Sequence, residues 1–449
     1  MTAPARIAAY HALRAIDLER ADLPTALAHS RQYLPDERDK GLAAEIVAGT
    51  LRWQRALDHL IVHFARRALS TVDPEVVSIL RLSLYQILHL DRVPASAVVD
   101  DAVDLARGAR KRSATGFVNA VLRNTVRQRT RLPFPARPDS AADRDEALAY
   151  LGITHSHPDW LVARWLDRYG YEATERWVRF NNDTPRLTLR ANRLRMTRDA
   201  AAAAFAADDI ETEPTLYAPD GLVVTSGNPL RRPHDGSFFV QDEASQLVSL
   251  VVDARRGERI LDLCASPGGK TTAMAADMGD TGSIVACDVR PRRMSLLQET
   301  VRLSGAAHIH LVHVAPDGAL PFGIAFDRVL VDAPCSGLGT IRRDPDIRWR
   351  RHESDLAVLA RAQGTLLSRA AEAVGAGGRL VYATCSSEPE ENEEVVDAFL
   401  ARHPDFALVD LRTSGVPLPA PLVHSRGMMR TLPSEHALEA FFAAALHRQ

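Results

Sequence analysis

From residue 236 to its end, the chain alternates short apolar runs with helical segments, and this alternation restricts the fold more than any other feature. Four such runs begin at Arg259, Ser283, Arg328 and Arg379. Short buried strands separated by helices are typical of a parallel sheet with helices on both faces. We therefore predict an α/β, Rossmann-like domain over residues 236–449, with ligands bound outside the carboxyl ends of its strands.

The first part of the chain differs, because its apolar residues repeat at helical spacing and no period-two pattern occurs. One apolar stripe follows Asp73 and Pro74, a pair that is typical of a capped helix start. We predict an all-helical domain over residues 1–135. Residues 150–235 combine amphipathic helices that bear tryptophans with two strand-like runs, which indicates a small α+β linker domain.

Length and composition exclude several classes of protein. The 449 residues suffice for two or three domains, and 46% hydrophobic with 25% charged residues is ordinary for a globular protein. No apolar run approaches the roughly 18 residues of a membrane span, and the charged N-terminus does not resemble a signal peptide. We expect a cytoplasmic protein, and a monomer, because no exposed heptad or long apolar stripe indicates self-association.

Basic residues cluster between positions 105 and 138, where no acidic residue occurs, although the whole chain has a net charge of −2. Such a cluster is typical of a surface that binds phosphate groups. A solvated helix face is the alternative, and the charge run taken alone favours that alternative. The cluster consists of Arg107, Arg110, Lys111, Arg112, Arg123, Arg127, Arg129, Arg131 and Arg137.

A glycine-rich loop at residues 264–271 follows the first strand and precedes a helix. Its two glycines permit a sharp turn, and the helix N-terminus offers free N–H groups to an anion such as the carboxylate of S-adenosylmethionine. A P-loop would need glycine where Cys264 stands, and the dinucleotide motif is absent. A plain strand–turn–helix corner remains the alternative. We predict a cofactor site that includes Cys264, Ala265, Ser266, Pro267, Gly268, Gly269 and Lys270.

Acidic residues at strand ends complete the predicted cofactor site. Asp288 ends the second strand about 20 residues after the glycine loop, where an acid typically binds ribose hydroxyls. Asp317 would contact the adenine edge if it ends the third strand, and a simple turn aspartate is the alternative. Asp332 ends the strand that begins at Arg328, whereas Asp262, inside the first strand, could orient the glycine loop.

The cysteines Cys264, Cys287, Cys335 and Cys385 all stand at or just after strand ends. They form no Cys-x-x-Cys pair, and no histidine stands at zinc-ligand spacing, so we expect no metal site. A disulfide framework is not expected in a long chain without an export signal. Each thiol is therefore either a buried structural group or a reactive one.

Several long segments, taken together and in order, resemble the Sun/Nop family of RNA cytosine-5 methyltransferases. Residues 111–123 also resemble the NusB-type RNA-binding domain that a bacterial branch of this family carries. The family segments are the glycine loop; Phe-Val-Gln-Asp-Glu-Ala-Ser at 239–245; Asp-Ala-Pro-Cys at 332–335, followed by Arg342, Arg343, Pro345, Asp346 and Trp349; and Thr-Cys-Ser at 384–386, followed by Glu390, Asn392 and Glu393.

This resemblance implies methylation of carbon 5 of a cytosine in RNA, with 16S ribosomal RNA as the expected substrate and S-adenosyl-L-methionine as methyl donor. Carbon 5 is a poor nucleophile, and addition of a thiolate to carbon 6 converts the ring into a reactive enamine. Chemistry alone does not rank the two thiols, because DNA enzymes use the Pro-Cys residue as nucleophile. The RNA family implies Cys385 as nucleophile and Cys335 as the group that assists breakdown of the adduct.

By the same resemblance, Asp332 hydrogen-bonds the edge of the cytosine and Lys270 approaches the same pocket. The target base must be unpaired or flipped to enter it. Two alternatives remain open: another RNA target, such as transfer RNA, and a non-catalytic RNA-binding protein of ribosome assembly. The survival of the loop glycines and of both cysteines argues against the second alternative.

Overall fold

The computed structural model describes residues 2–138, 143–232 and 235–449, and the chain forms two compact units. The first, here called the helical unit, comprises Met1–Thr184 and Ile341–Arg351; the second, the sheet unit, comprises Pro185–Thr340 and His352–Gln449. Residues 233–234, at the predicted boundary near 235, lie outside the described residues, as do Met1 and residues 139–142. The predicted domain boundaries at 135, 150 and 235 stay predictions.

The described residues form helices and strands, each numbered in chain order. The helices are α1 (Pro4–Asp17), α2 (Leu23–Arg31), α3 (Glu37–Arg52), α4 (Gln54–Ala65), α5 (Pro74–His89), α6 (Ala95–Gly108), α7 (Thr115–Gln128), α8 (Arg144–Ala149), α9 (Asp159–Tyr169), α10 (Tyr171–Asn182), α11 (Arg198–Ala206), α12 (Glu243–Val252), α13 (Gly269–Asp277), α14 (Pro291–Ser304), α15 (Ile347–Arg350), α16 (Glu353–Ala371), α17 (Glu393–Arg402) and α18 (Pro433–His436). The strands are β1 (Thr188–Ala191), β2 (Glu211–Pro214), β3 (Gly221–Ser226), β4 (Phe238–Val240), β5 (Arg259–Asp262), β6 (Ser283–Asp288), β7 (Ile309–His313), β8 (Phe326–Asp332), β9 (Val374–Thr384), β10 (Phe406–Leu408), β11 (Met429–Arg430) and β12 (Phe442–Arg448).

The helical unit contains α1–α10 and α15, with no strand among its described residues, so the all-helical prediction is confirmed. Its core is built from the apolar stripes of the helices, and Ile46, Leu60 and Leu80 are fully buried there. The predicted helix start at Pro74 is correct, but the Asp73 carboxylate does not cap it. That carboxylate instead bonds the ammonium of Lys111 at 3.1 Å.

A short segment, Ile341–Arg351, belongs to the helical unit although β8 before it and α16 after it belong to the sheet unit. Its Arg348 side chain is fully buried, and burial lowers the pKa of its guanidinium. Its Nη atoms donate to the backbone carbonyl oxygens of Arg52, Ser156 and Asn181 at 2.8–3.2 Å, whereas its Nε has no partner among the described residues.

The sheet unit begins with a four-stranded antiparallel sheet in the order β2-β3-β1-β4, against which α11 packs. Leu189, Phe205 and Phe238 are buried between them. The predicted α+β character is confirmed. The tryptophan-bearing helices α9 and α10, which precede these strands, belong to the helical unit, where Trp165 stacks on Trp177 with ring centroids 4.6 Å apart.

The second sheet has the order β10-β12-β9-β8-β5-β6-β7, with β11 paired to β12. Strands β5 to β9 are parallel, as predicted, whereas β12 runs antiparallel to β9. Helices cover both faces, and successive residues of β8 enter opposite cores: Val329 and Val331 on one face, Leu330 on the other. Burial on both faces explains why these strands are continuous apolar runs.

Strand order reverses between β5 and β8, because the chain moves outward through β6 and β7 and then returns to the other side of β5. Crevices at such a reversal are where ligands bind in open α/β sheets. The glycine loop follows β5, and the segment with Cys335 follows β8, so both flank this point. Within the described ranges, no helix is both long and apolar enough to cross a membrane.

Candidate active site

Two cysteines meet at the carboxyl ends of the neighbouring strands β8 and β9. The Sγ atoms of Cys335 and Cys385 are 3.2 Å apart, and both residues are partly exposed. The strands are in register with Asp332 opposite Ala383, which brings the two following loops side by side. Two backbone hydrogen bonds continue this pairing, from Ala333 N to Ala383 O at 2.8 Å and from Gly339 N to Cys385 O at 2.9 Å.

A partly exposed ion pair lies beside the two thiols. Lys270 Nζ is 2.6 Å from Asp332 Oδ2, and the two side chains are 13% and 28% exposed. Burial by itself would lower the pKa of Lys270, but the Asp332 carboxylate outweighs it and Cys385 adds to the effect, so the pKa is raised. Lys270 is therefore a fixed cation at the cysteine pair. Its Nζ also lies 5.9 Å from the centroid of the Phe441 ring.

The glycine loop turns tightly between β5 and α13. Gly268 has φ of +108°, a left-handed conformation that other residues rarely adopt, and α13 begins at Gly269. The buried Arg190 guanidinium donates to Gly269 O at 3.2 Å and to Thr272 Oγ1 at 2.8 Å. Gln241, from the predicted family segment, accepts from Arg190 Nε at 2.7 Å. The start of α13 is thus held in place from the small sheet.

The remaining loop residues are anchored to the neighbouring elements. Ala265 N donates to Cys287 O at 2.8 Å, and the Ser266 hydroxyl donates to Arg293 O at 3.0 Å. Cys264 lies at the start of the loop, and burial raises the pKa of its thiol, with Asp332 adding to the effect. Cys264 is therefore a neutral thiol at neutral pH.

The predicted acidic residues differ in burial and in their hydrogen-bond partners. Asp262 is buried at the end of β5, where it accepts from Thr271 Oγ1 at 2.7 Å, and its Oδ1 has no hydrogen-bond partner within the described part of the chain. Asp288 is buried as the last residue of β6 and accepts from Arg290 N at 3.0 Å. Asp317 is exposed in the loop after β7, which ends four residues earlier at His313.

The thiol of Cys335 is held in its protonated form. A hydrogen bond to Cys385, together with burial, raises the pKa of Cys335 well above its ordinary value. Cys335 therefore carries its proton at neutral pH. A protonated thiol is a poor nucleophile, because the thiolate is the reactive form.

Sequence analysis missed a buried carboxylate behind the two cysteines. Glu391 is fully buried and accepts hydrogen bonds from Ser336 and Ser386, each of which directly follows one of the cysteines. The neighbouring Asn392 accepts from Thr384 Oγ1 and donates to Ser386 O. The only signal in the sequence is the acidic run at residues 388–394, which does not show which carboxylate is buried.

The basic cluster lies on the helical unit, where α6 ends and α7 follows. Eight of its nine members are exposed, and Lys111 is half-buried between Asp73 and Glu75. Arg107 and Arg137 also have acidic partners. No ion pair among the described residues involves the other six, which are Arg110, Arg112, Arg123, Arg127, Arg129 and Arg131.

Three family models match the chain. The model described as "16S rRNA methyltransferase RsmB/F" matches residues 249–447. The NusB family model matches residues 3–127, and a ferredoxin-like domain model of RsmF/B-like methyltransferases matches residues 157–231.

As for metals, residues 2–138, 143–232 and 235–449 contain no cluster of three or more His, Cys, Asp or Glu side chains that could hold an ion.

Curated relatives match over nearly the whole chain. The probable ribosomal RNA small subunit methyltransferase B of Bacillus subtilis is 35% identical, over 92% of this chain and 91% of that protein. Ribosomal RNA small subunit methyltransferase B of Pseudomonas putida is 35% identical, over 91% of each chain. Among solved structures, a methyltransferase homologue from Pyrococcus horikoshii is 25% identical with a TM-score of 0.58, and the match covers 68% of this chain and 99% of that one.

Proposed function

Since the chain belongs to the RsmB/F family of 16S rRNA methyltransferases, we propose that it methylates carbon 5 of a cytosine in 16S ribosomal RNA with S-adenosylmethionine as donor. The observation that carries this proposal is the pair of thiols 3.2 Å apart beside the Lys270–Asp332 ion pair, at the strand-order reversal. A nucleophilic thiol, a second thiol and a charged pair are the groups that covalent activation of a pyrimidine requires.

The residues after β5 and β6 fit S-adenosylmethionine. The left-handed turn at Gly268 and the free N–H groups at the start of α13 suit its carboxylate. The buried Asp288 at the end of β6 suits the ribose hydroxyls, and the unpartnered Asp262 Oδ1 shows spare hydrogen-bonding capacity beneath the loop. When bound, S-adenosylmethionine supplies an electrophilic methyl group. The position of Asp317, exposed and four residues past β7, gives a contact with adenine no support.

We assign the addition step to Cys385. Its thiol gives its proton to solvent, and its sulfur bonds to carbon 6 of the cytosine while the electron pair of the C5–C6 double bond makes carbon 5 nucleophilic. The raised pKa of Cys335 supports this order, because a thiol that stays protonated is a poor nucleophile. Once carbon 5 is methylated, water takes the proton from carbon 5, the electron pair of that bond restores the C5–C6 double bond, and the bond between carbon 6 and sulfur breaks, which restores the Cys385 thiolate.

Asp332 and Lys270 act on the ring in this proposal. The Asp332 carboxylate accepts a hydrogen bond at the cytosine edge, which holds the base over the thiols. The raised pKa of Lys270 keeps its ammonium charged, and that ammonium holds the Asp332 side chain in place at 2.6 Å. The exposed arginines of the basic cluster would bind RNA phosphates without reading sequence.

Transfer of labelled methyl groups to an in-vitro transcript of 16S ribosomal RNA tests the proposal. We expect Cys385→Ser to lower the rate by about 10⁶-fold, the scale seen when a covalent nucleophile is removed. As the control, we expect Cys287→Ala, which alters a buried thiol at the end of β6, to retain transfer. Bisulfite sequencing then locates the methylated cytosine. Full activity of Cys385→Ser, or a methyl group on another atom, would overturn the proposal.

A further inference from the structure

We propose that Glu391 is a positioning residue that holds the two cysteine loops in register, an inference that rests on the proposed two-thiol chemistry. Its carboxylate lies behind the site and reaches both loops at once. Oε1 accepts from the backbone N–H of Ser336 at 2.8 Å, and Oε2 accepts from the hydroxyls of Ser336 and Ser386 at 2.5 Å each. These serines directly follow Cys335 and Cys385 in the chain.

The carboxylate is fully satisfied by these contacts and one more. Gln363, from α16, donates to Oε1 at 2.9 Å and also to Pro334 O at 3.0 Å, which extends the network to the residue before Cys335. Four donors thus converge on one buried carboxylate, and a buried polar group is costly unless such partners satisfy it. One side chain thereby connects α16 and the two loops.

Glu391 is itself held rigidly. Its backbone carbonyl accepts from the hydroxyl of Tyr382 at 2.5 Å, and Tyr382 is fully buried within β9. The same hydroxyl lies 3.2 Å from Gln363 Oε1. The carboxylate is therefore fixed relative to the sheet, and so are the two serines that it bonds.

This arrangement sets the spacing of the thiols. The loops come from different strands. Besides the strand pairing, the bond from Gly339 to Cys385 and a 3.2 Å contact between the Ser336 and Ser386 hydroxyls, Glu391 connects both loops at the residues next to the sulfurs. Loss of this connection would let the loops shift, and a displacement of about 1 Å at reacting groups costs about 100-fold in rate. Glu391 acts on the site through the two loops, and its charge also raises the pKa of Cys335.

Three variants separate positioning from plain stability. Glu391→Ala removes all four contacts. Glu391→Gln keeps the volume, and its amide oxygen can accept from Ser336 N and Gln363 while its amide nitrogen donates to the two hydroxyls. Glu243→Ala is the matched control, because Glu243 is also a buried carboxylate that accepts backbone N–H bonds, from Tyr217 and Ala218, at a place remote from the cysteines.

The first measurement is single-turnover formation of the covalent adduct with a 16S transcript that contains 5-fluorocytidine, at saturating donor and RNA. For Glu391→Ala we expect a rate about 100-fold below wild type, with donor affinity by calorimetry and the KM for RNA unchanged. Glu391→Gln should stay within about tenfold of wild type, the scale of one neutral hydrogen bond. Glu243→Ala should lower the melting temperature yet keep the wild-type rate.

The second measurement needs neither RNA nor donor. Diamide oxidises two thiols to a disulfide, and its N=N bond takes up the two protons and two electrons. We expect the Cys335–Cys385 disulfide, mapped by mass spectrometry, to form at least about tenfold more slowly in Glu391→Ala than in wild type, because the loops lose their register.

Equal rates of disulfide formation in Glu391→Ala and wild type would overturn the inference even if the adduct chemistry holds. A wild-type protein that forms no adduct would overturn the proposed function, and the positioning role with it. If Glu391→Ala and Glu243→Ala lost rate equally, Glu391 would be only structural.

Discussion

Asp262, buried at the end of β5, should make the stability of the sheet unit depend on pH. Its side chain is 1% exposed, and one hydrogen bond, from Thr271, opposes the cost of its charge. Burial raises its pKa from 3.8 to about 7. Because one pKa unit corresponds to about 1.36 kcal/mol, this shift of about 3 units amounts to about 4 kcal/mol.

The direction of the effect follows from proton binding. Between about pH 4 and pH 7, folded protein keeps a proton on Asp262 that the unfolded chain has released. Raising the pH through this window therefore destabilises the fold, and the loss is complete above about pH 7. Asp262→Asn cannot ionise and keeps an acceptor for Thr271. Its free energy of unfolding should gain about 4 kcal/mol relative to wild type between pH 4 and pH 8.

Hydrogen exchange measured by mass spectrometry suits this test. All five tryptophans lie in the helical unit, so their fluorescence does not report on the sheet unit, whereas peptides from β5, β8 and β9 do. Comparison of variant and wild type at each pH cancels the intrinsic exchange rate. Asp199→Asn is the control, because that side chain on α11 is 87% exposed. A variant-minus-wild-type difference that stays flat from pH 4 to pH 8 would refute the reasoning.

Three further perturbations have defined outcomes. Arg348→Met should destabilise the helical unit by about 3 kcal/mol, because buried carbonyls lose their donor. Urea unfolding followed by tryptophan fluorescence measures this change, and an unchanged unfolding midpoint would contradict it. Arg123→Gln combined with Arg127→Gln should reduce the slope of log K against log salt for RNA binding by about 2, and an unchanged slope would remove this face from the RNA surface. Gly268→Ala should weaken binding of S-adenosylmethionine by about tenfold or more in calorimetry. The control Gly415→Ala, also at positive φ but in open space, should leave this affinity unchanged. Equal losses of affinity in the two variants would contradict the assignment of the loop.

The parallel strands could be predicted because their signal is local. β5, β6 and β8 are continuous apolar runs that are buried on both faces, and they begin within two residues of the predicted starts at Arg259, Ser283 and Arg328. β9 begins five residues before its predicted start, at Val374, because the segment Val-Gly-Ala-Gly-Gly has no strand propensity of its own and pairs only through β8.

The site could be predicted only in part, because it depends on which strands are neighbours. Sequence places Cys335 and Cys385 each after a strand, but their contact requires β8 and β9 to be adjacent and in register. The burial of Glu391 is a tertiary property, since neighbouring residues 388–394 offer several carboxylates with the same local pattern. The same holds for Arg348, which lies in a strongly charged segment yet is fully buried.

Mapping the RNA adduct tests the central assignment most directly. Trypsin cleaves after Arg328, Arg342, Arg379 and Arg402, so Cys335 and Cys385 fall on different peptides. A 16S transcript with 5-fluorocytidine should remain attached to the protein, because fluorine replaces the proton that must leave before the sulfur does. The account predicts the nucleotide on the Cys385 peptide; its recovery on the Cys335 peptide, or on neither, would contradict it.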